Sequence, residues 1–208
     1  MCGIVAATAE RDVVPILLAG LQALEYRGYD SAGFCVHADD RLARLRTEGK
    51  VQRLRELQEK EALAGPCGIA HTRWATHGPP TTRNAHPHAS GDSVSVVHNG
   101  IIENHADLRA ELVADGFKME TDTDTEVIAH LIARAEAAGM EFFAAVRDTV
   151  SRLEGAYAIA VASRSQPHMV CGARKGSPLV VGLGIGENFL ASDIHALLPV
   201  TNRFIYLQ

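Results

Sequence analysis

The hydrophobic positions along the chain change period several times, and each change marks an element. Residues 4–7 are a continuous apolar run, which predicts a buried strand, with Gly3 before it leaving room for another backbone or a ligand to approach. Val13, Val14, Leu17, Leu18, Leu21 and Leu24 then recur at helical spacing. Asp12 can cap this helix, and Pro15 falls in its first turn, where proline is tolerated. Gly28 has the position of a helix stop. Residues 31–37 read as a second strand, and 41–47 alternate apolar and polar like a half-exposed one. A charged helix follows over 51–63, between Gly49 and Gly65-Pro66.

The middle third changes character. Residues 67–71 begin as a strand, but 72–90 hold few aliphatic side chains and many Gly, Pro, His, Thr and Asn. A loop of nearly 20 residues is uncommon inside a compact domain and is usually functional. Residues 94–97 predict a short core strand ending at His98-Asn99-Gly100, and a helix starting at Asn104 or His105 would turn Leu108, Leu112 and Val113 inward. Thr123 with Glu126 has capping-box spacing ahead of another helical stripe, and a further helix spans 142–153. Beyond Gly155 the chain reads as strand and turn: 156–162, 168–172, 179–183, 188–191 and 203–207, with a helical turn from Asp193 closed by Pro199. Buried strands flanked by helices and joined by short turns predict an α+β stack, two antiparallel sheets between helix layers. Residues 1–208 read as one domain without internal repeats. The last strand carries no cap or polar tail, so the expectation is a domain cut from a longer chain.

Composition narrows the functions. At 47% hydrophobic and 22% charged residues the chain has the make-up of a soluble globular domain. A net charge of -5 without a basic block argues against nucleic acid as a partner. No apolar run approaches the roughly 18 residues of a membrane span. The first residues lack the pattern of a signal peptide, and no hydrophobic leader precedes Cys2 as a lipoprotein anchor would require. The four cysteines (Cys2, Cys35, Cys67 and Cys171) form no C-x-x-C pair, which fits a reduced, cytoplasmic setting. Cys35 and Cys67 lie in apolar runs and read as small buried hydrophobes.

Cys2 stands apart. Its small side chain favours removal of Met1, which frees an α-amine with a pKa of about 7.7–8.0. One residue then carries a thiol and its own general base. The opposing reading is an incidental cysteine beside a disordered amine. Such a nucleophile needs a substrate clamp, oxyanion donors and shielding from water. Arg73 can grip a carboxylate through two hydrogen bonds and Trp74 can cover a pocket, or the pair can be a surface ion pair and a core ring. Asn99 and Gly100 can supply a side-chain and a backbone N–H, or they can be an ordinary tight turn. Asp122 and Asp124 can bind an ammonium group, or they can complement a helix dipole. Five of ten histidines crowd this region (His71, His77, His86, His88 and His98), but without H-E-x-x-H or paired cysteines neither a metal nor another cofactor is expected.

Taken in order, CGIV, LEYRGYDSAG (24–33), HTRWATHG (71–78), NAHPH (84–88), HNGIIEN (98–104), TDTDTE (121–126), GSPLVVGLG (176–184) and SDIHALLPVT (192–201) resemble one family along essentially the whole chain. That family is the class II glutamine amidotransferase (glutaminase) domain of the glutamine–fructose-6-phosphate aminotransferases. The resemblance implies the N-terminal-nucleophile hydrolase fold, a four-layer αββα sandwich. It implies hydrolysis of L-glutamine through a γ-glutamyl thioester on Cys2, with the Cys2 amine acting as base through a water. Asn99 and Gly100 would form the oxyanion hole. Arg73 would hold the α-carboxylate of glutamine and Asp124 its α-ammonium. Thr76, His77, Gly78 and His86 would line the pocket, Trp74 would gate it and Arg27 would support the nucleophile. Ammonia would pass to a sugar isomerase domain, absent here, that converts fructose 6-phosphate to glucosamine 6-phosphate in a homodimeric full-length enzyme. A retained Met1 would lock the amine in a peptide bond. The alternatives are the glutaminase domain of another synthase, such as an amidophosphoribosyltransferase or asparagine synthetase, or a glutamine-binding regulatory module without turnover.

Overall fold

The computed structural model describes residues 2–74 and 79–207. Two antiparallel sheets face one another between two layers of helices, the expected α+β sandwich. The larger sheet contains β1 (Gly3–Ala9), β2 (Ser31–Ala38), β3 (Arg41–Glu48), β4 (Cys67–Arg73), β9 (Val180–Leu183), β10 (Glu187–Ala191) and β11 (Phe204–Tyr206), in the order β11-β9-β10-β1-β4-β2-β3. The smaller sheet contains β5 (His88–Ser90), β6 (Val94–Ile102), β7 (Gly155–Ser163) and β8 (Val170–Lys175), in sequence order. Helices α1 (Val14–Leu24) and α2 (Val51–Glu61) cover the outer face of the larger sheet, and α3 (His105–Ala114), α4 (Glu126–Ala137) and α5 (Phe142–Arg152) cover the smaller.

The period-two geometry of β1 explains its unbroken apolar run. Val5 and Ala7 point into the helix-covered core with Leu17 and Leu21, while Ile4 and Ala6 point into the space between the sheets with Val97, Ala158 and Ala160. Cys35 and Cys67 are buried as expected. The space left by Gly3 is filled by side chains, since a Cβ there would sit 2.7 Å from Thr72 Oγ1 and 2.8 Å from Leu24 Cβ.

Several local expectations fail, each where a distant partner outweighs a local preference. Gly28 is no left-handed stop: its φ is -174°, and it is glycine because a Cβ would meet the Arg73 backbone at 2.7 Å. Asn99-Gly100 is no turn, because β6 runs through both residues, pairing Asn99 with Ala158 and Gly100 with Tyr157. The capping box does not form. Glu126 instead accepts the backbone amides of Glu120 and Thr121, while Thr123 Oγ1 meets His88 Nε2 at 3.2 Å. Val113 faces solvent. The long loop is shorter than expected, because β4 extends to Arg73 and His88–Ser90 pairs with β6.

Candidate functional site

Cys2 sits at the head of β1, half-buried. The register of β1 against β4 pairs Gly3 with Thr72, which carries the chain past Arg73 and leaves the Trp74 N–H 3.2 Å from Cys2 Sγ. Burial pushes the Cys2 thiol above its ordinary range, against the Trp74 amide and the nearby Arg73 and Arg27 guanidinium groups, which favour the thiolate.

Asn99 reaches the same point from the other sheet. Its Nδ2 donates to the Cys2 carbonyl oxygen at 3.1 Å, and its Oδ1 lies 3.0 Å from His71 Nε2. Gly100 follows with φ +122°, and a Cβ there would lie 2.0 Å from the Ala156 carbonyl oxygen, so only glycine fits.

Arg73 and Asp124 are both buried, which rules out a surface ion pair for Arg73. Arg73 Nη1 donates to the Pro79 carbonyl oxygen at 3.2 Å. Burial lowers its pKa, while Cys2, Asp30 and Asp124 hold it up. Asp124 Oδ2 accepts the Ile102 N–H at 2.8 Å, which fixes the carboxylate at the mouth of α4. Asp122, its counterpart in the acidic run, is exposed and bonds Asn84. Of the two carboxylates only Asp124 faces the site.

Cys2, Arg73, Trp74, Gly100 and Asp124 line one tight cavity of about 20 Å³ together with His86, His98, Thr123 and Thr125. A wider groove of about 320 Å³ opens beside it, bordered by Cys2, Arg27, Trp74, Asn99, Ile101 and Pro178. Trp74 is 45% exposed and meets Tyr29 edge-on, centroids 5.4 Å apart, so it is no core ring. Arg27 pairs with Asp193 through Nη1 at 3.1 Å. Thr76, His77 and Gly78 lie outside the described residues.

The histidine-rich signal resolves into a buried cluster. His86 Nε2 and His98 Nδ1 both meet Thr125 Oγ1, at 3.0 and 2.9 Å, so this hydroxyl bridges the two rings. The His71 and His86 rings stack with centroids 4.1 Å apart. Burial pushes His71 down to about 3 and His86 and His88 well below the usual range. Among the described residues no group of three or more His, Cys, Asp or Glu is arranged to hold a metal. Sequence reasoning missed His98, Thr123 and Thr125 as lining residues. No periodic signal marks the two threonines, because 122–125 is bend and turn rather than strand and brings Thr123, Asp124 and Thr125 to the cavity consecutively.

Comparison with known proteins gives a consistent result. A family model described as a glutamine amidotransferase domain matches residues 71–199. The glutamine–fructose-6-phosphate aminotransferase (isomerizing) of Idiomarina loihiensis is 58% identical over 209 residues, covering 100% of this chain and 34% of that protein. The protein of the same name from Bordetella pertussis is 55% identical over 213 residues, covering 100% of this chain and 35% of that one. The chain thus spans about a third of the length of the curated relatives it matches. Among solved structures, the glutamine phosphoribosylpyrophosphate amidotransferase of B. subtilis superposes with a TM-score of 0.83 at 25% identity, over 100% of this chain and 45% of that one. A glutamine aminotransferase class-II domain protein from Silicibacter pomeroyi shares the fold, with a TM-score of 0.64 at 16% identity over 100% of this chain and 91% of that one. The fold is that of the N-terminal-nucleophile hydrolases.

Proposed function

The chain belongs to the glutamine amidotransferase domain family, and from that premise we propose that it hydrolyses L-glutamine with Cys2 as nucleophile. Removal of Met1 frees the Cys2 α-amine, which takes the thiol proton through a water. Sγ attacks the γ-carboxamide carbon, and the oxygen that becomes negative is met by Asn99 Nδ2 and the Gly100 N–H. The tetrahedral adduct collapses by breaking the C–N bond. The nitrogen leaves as ammonia with a proton returned by the amine, and a γ-glutamyl thioester remains on Cys2. A water activated by the same amine then releases glutamate and restores the thiol. Arg73 holds the substrate α-carboxylate and Asp124 its α-ammonium, so the substrate is fixed at the end remote from the chemistry.

One observation carries this reading. Four segments far apart in sequence bring Cys2, Arg73, Gly100 and Asp124 to the wall of a single cavity. The wider groove beside it shares Cys2, Trp74 and Gly100, so the two together offer the space a substrate would occupy. Thr76, His77 and Gly78 are proposed to complete it, with His86 shaping its floor and Arg27 steadying the loop beside Cys2. For the longer protein suggested by the relatives' names we propose delivery of the ammonia to fructose 6-phosphate in a separate isomerase domain. The relatives' length and names support this extension, and a homodimeric, cytoplasmic enzyme would be consistent with it.

Intact mass before and after treatment with an electrophilic glutamine analogue tests the proposal. The expected result is loss of Met1 and one adduct, mapping to Cys2 and absent from Cys2→Ala. A processed chain that binds glutamine but takes no adduct and releases no glutamate would be a binding module instead.

A further inference from the structure

We infer that His71 is a positioning residue, whose Nε2–H determines which end of the Asn99 side chain faces Cys2. The inference rests on the reading of Asn99 as an oxyanion donor.

His71 lies on β4 opposite Ile4 of β1 and Gly33 of β2, on the face turned toward the second sheet. It is fully buried. Its Nε2 is 3.0 Å from the His98 carbonyl oxygen and 3.0 Å from Asn99 Oδ1. The carbonyl can only accept, so Nε2 must carry the proton. Asn99 must then present its oxygen to His71, because its other end faces the Cys2 carbonyl oxygen, which also only accepts. Three fixed groups therefore leave the amide one orientation, with its NH2 toward Cys2. One N–H of that NH2 is spent on the Cys2 carbonyl, and the second remains for the oxyanion.

The ring is held to this duty. It stacks on His86, whose carbonyl oxygen closes over Gly33, where a Cβ would lie 2.2 Å away. Nδ1 of His71 is buried and pairs with no described residue, so the ring has no second partner to turn toward. Protonation at Nδ1 would place a cation in this dry space beside Arg73, and both burial and that neighbour resist it.

The test compares His71→Leu, which removes the donor, with His71→Gln, whose side-chain NH2 has a similar reach. In the chain freed of Met1, His71→Leu should lower the kcat for glutamate release by about 10²-fold, at the lower end of the loss for an oxyanion donor, with KM nearly unchanged. His71→Gln should recover most of that loss. His71→Leu combined with Asn99→Ala should be no slower than Asn99→Ala alone, because the two act as one unit. Normal turnover of His71→Leu, or losses that add in the double variant, would overturn the inference. Nitrogen NMR of the unaltered chain provides an arm independent of turnover and of how the variants fold. It should show His71 as the neutral Nε2–H tautomer from pH 6 to 8, and an Nδ1–H or charged ring would equally overturn it. A processed chain that releases no glutamate, yet shows this tautomer, would count against the proposed function and leave the orientation of Asn99 standing.

Discussion

Lowering the pH should unfold this domain earlier than its carboxylates alone would, and the buried histidines set how much. In the unfolded chain each ring takes up a proton near pH 6.5. In the folded chain His71 resists to about 3, and His86 and His88 remain neutral well below the ordinary range, chiefly through burial. Their neighbours reinforce this: Arg73 acts on all three rings, and at His88 Arg46 and Arg44 act in the same direction while Glu126 opposes them. The unfolded state therefore binds more protons below about pH 6.5, and stability must fall as pH falls. Each ring contributes about 1.4 kcal/mol per pH unit in that window. Three rings give at most about 4 kcal/mol per unit, a large share of a domain total of the order of 5–15. Urea unfolding followed by circular dichroism at pH 7.5, 6.5, 5.5, 4.5 and 3.5 measures the slope directly. The carboxylates can be told apart by where they act. Burial opposes ionisation of Glu126, but His130, the amides of Glu120 and Thr121 and the Thr121 hydroxyl outweigh it and hold the group down to about 2, so its contribution is complete above about 4.5 and lost only below that. A stability change under about 1.4 kcal/mol between pH 6.5 and 5.5, with loss beginning only below 4.5, would refute the claim that these rings are neutral in the fold.

Two substitutions probe the site itself. Asn99→Ala should lower the kcat for glutamate release by about 10²–10³-fold, and a near-normal kcat would reduce Asn99 to a brace for the Cys2 carbonyl. Arg73→Lys keeps a charge but loses the planar two-pronged grip on a carboxylate, so KM for glutamine should rise sharply while kcat changes less. An unchanged KM would remove Arg73 from substrate binding.

The sequence predicted the fold most clearly where one residue type serves one local rule. The unbroken apolar run of β1 follows from burial on both faces, and the stripe of Leu17, Leu21 and Leu24 follows from one helix face against a sheet. It was least informative where a residue's neighbour comes from elsewhere in the chain. Asn99-Gly100 carries the strongest local turn preference, yet β7 supplies a full partner strand and holds it extended. Thr123 and Glu126 have capping spacing, but the free amides of Glu120 and Thr121 claim the glutamate first. Asp122 and Asp124 are indistinguishable by type, and only the Ile102 amide at the end of β6 selects one of them. His71 stood inside a recognised motif, but its contact with Asn99 exists only across the gap between the sheets.

The site depends on strand register more than on any single contact. Opposite residues of β1 and β4 share a face, so pairing Gly3 with Thr72 and Ile4 with His71 turns His71, and two residues on Arg73, toward the second sheet. A slip of one residue would turn Arg73 toward α1 and bring Thr72 to the cavity in its place. What forbids the slip lies away from the chemistry. Ile4 and Ala6 fill the gap between the sheets while Val5 and Ala7 fill the helix-covered core, so either direction of slip would mismatch both cores at once. On the opposite sheet the pairing of Val97 with Ala160 and Asn99 with Ala158 sets the same parity, which points Asn99 back at Cys2. The apolar residues of β1 and β6 thus place a thiol, a guanidinium and an amide within reach of one another, and the polar residues at the strand ends are free to be chosen for chemistry.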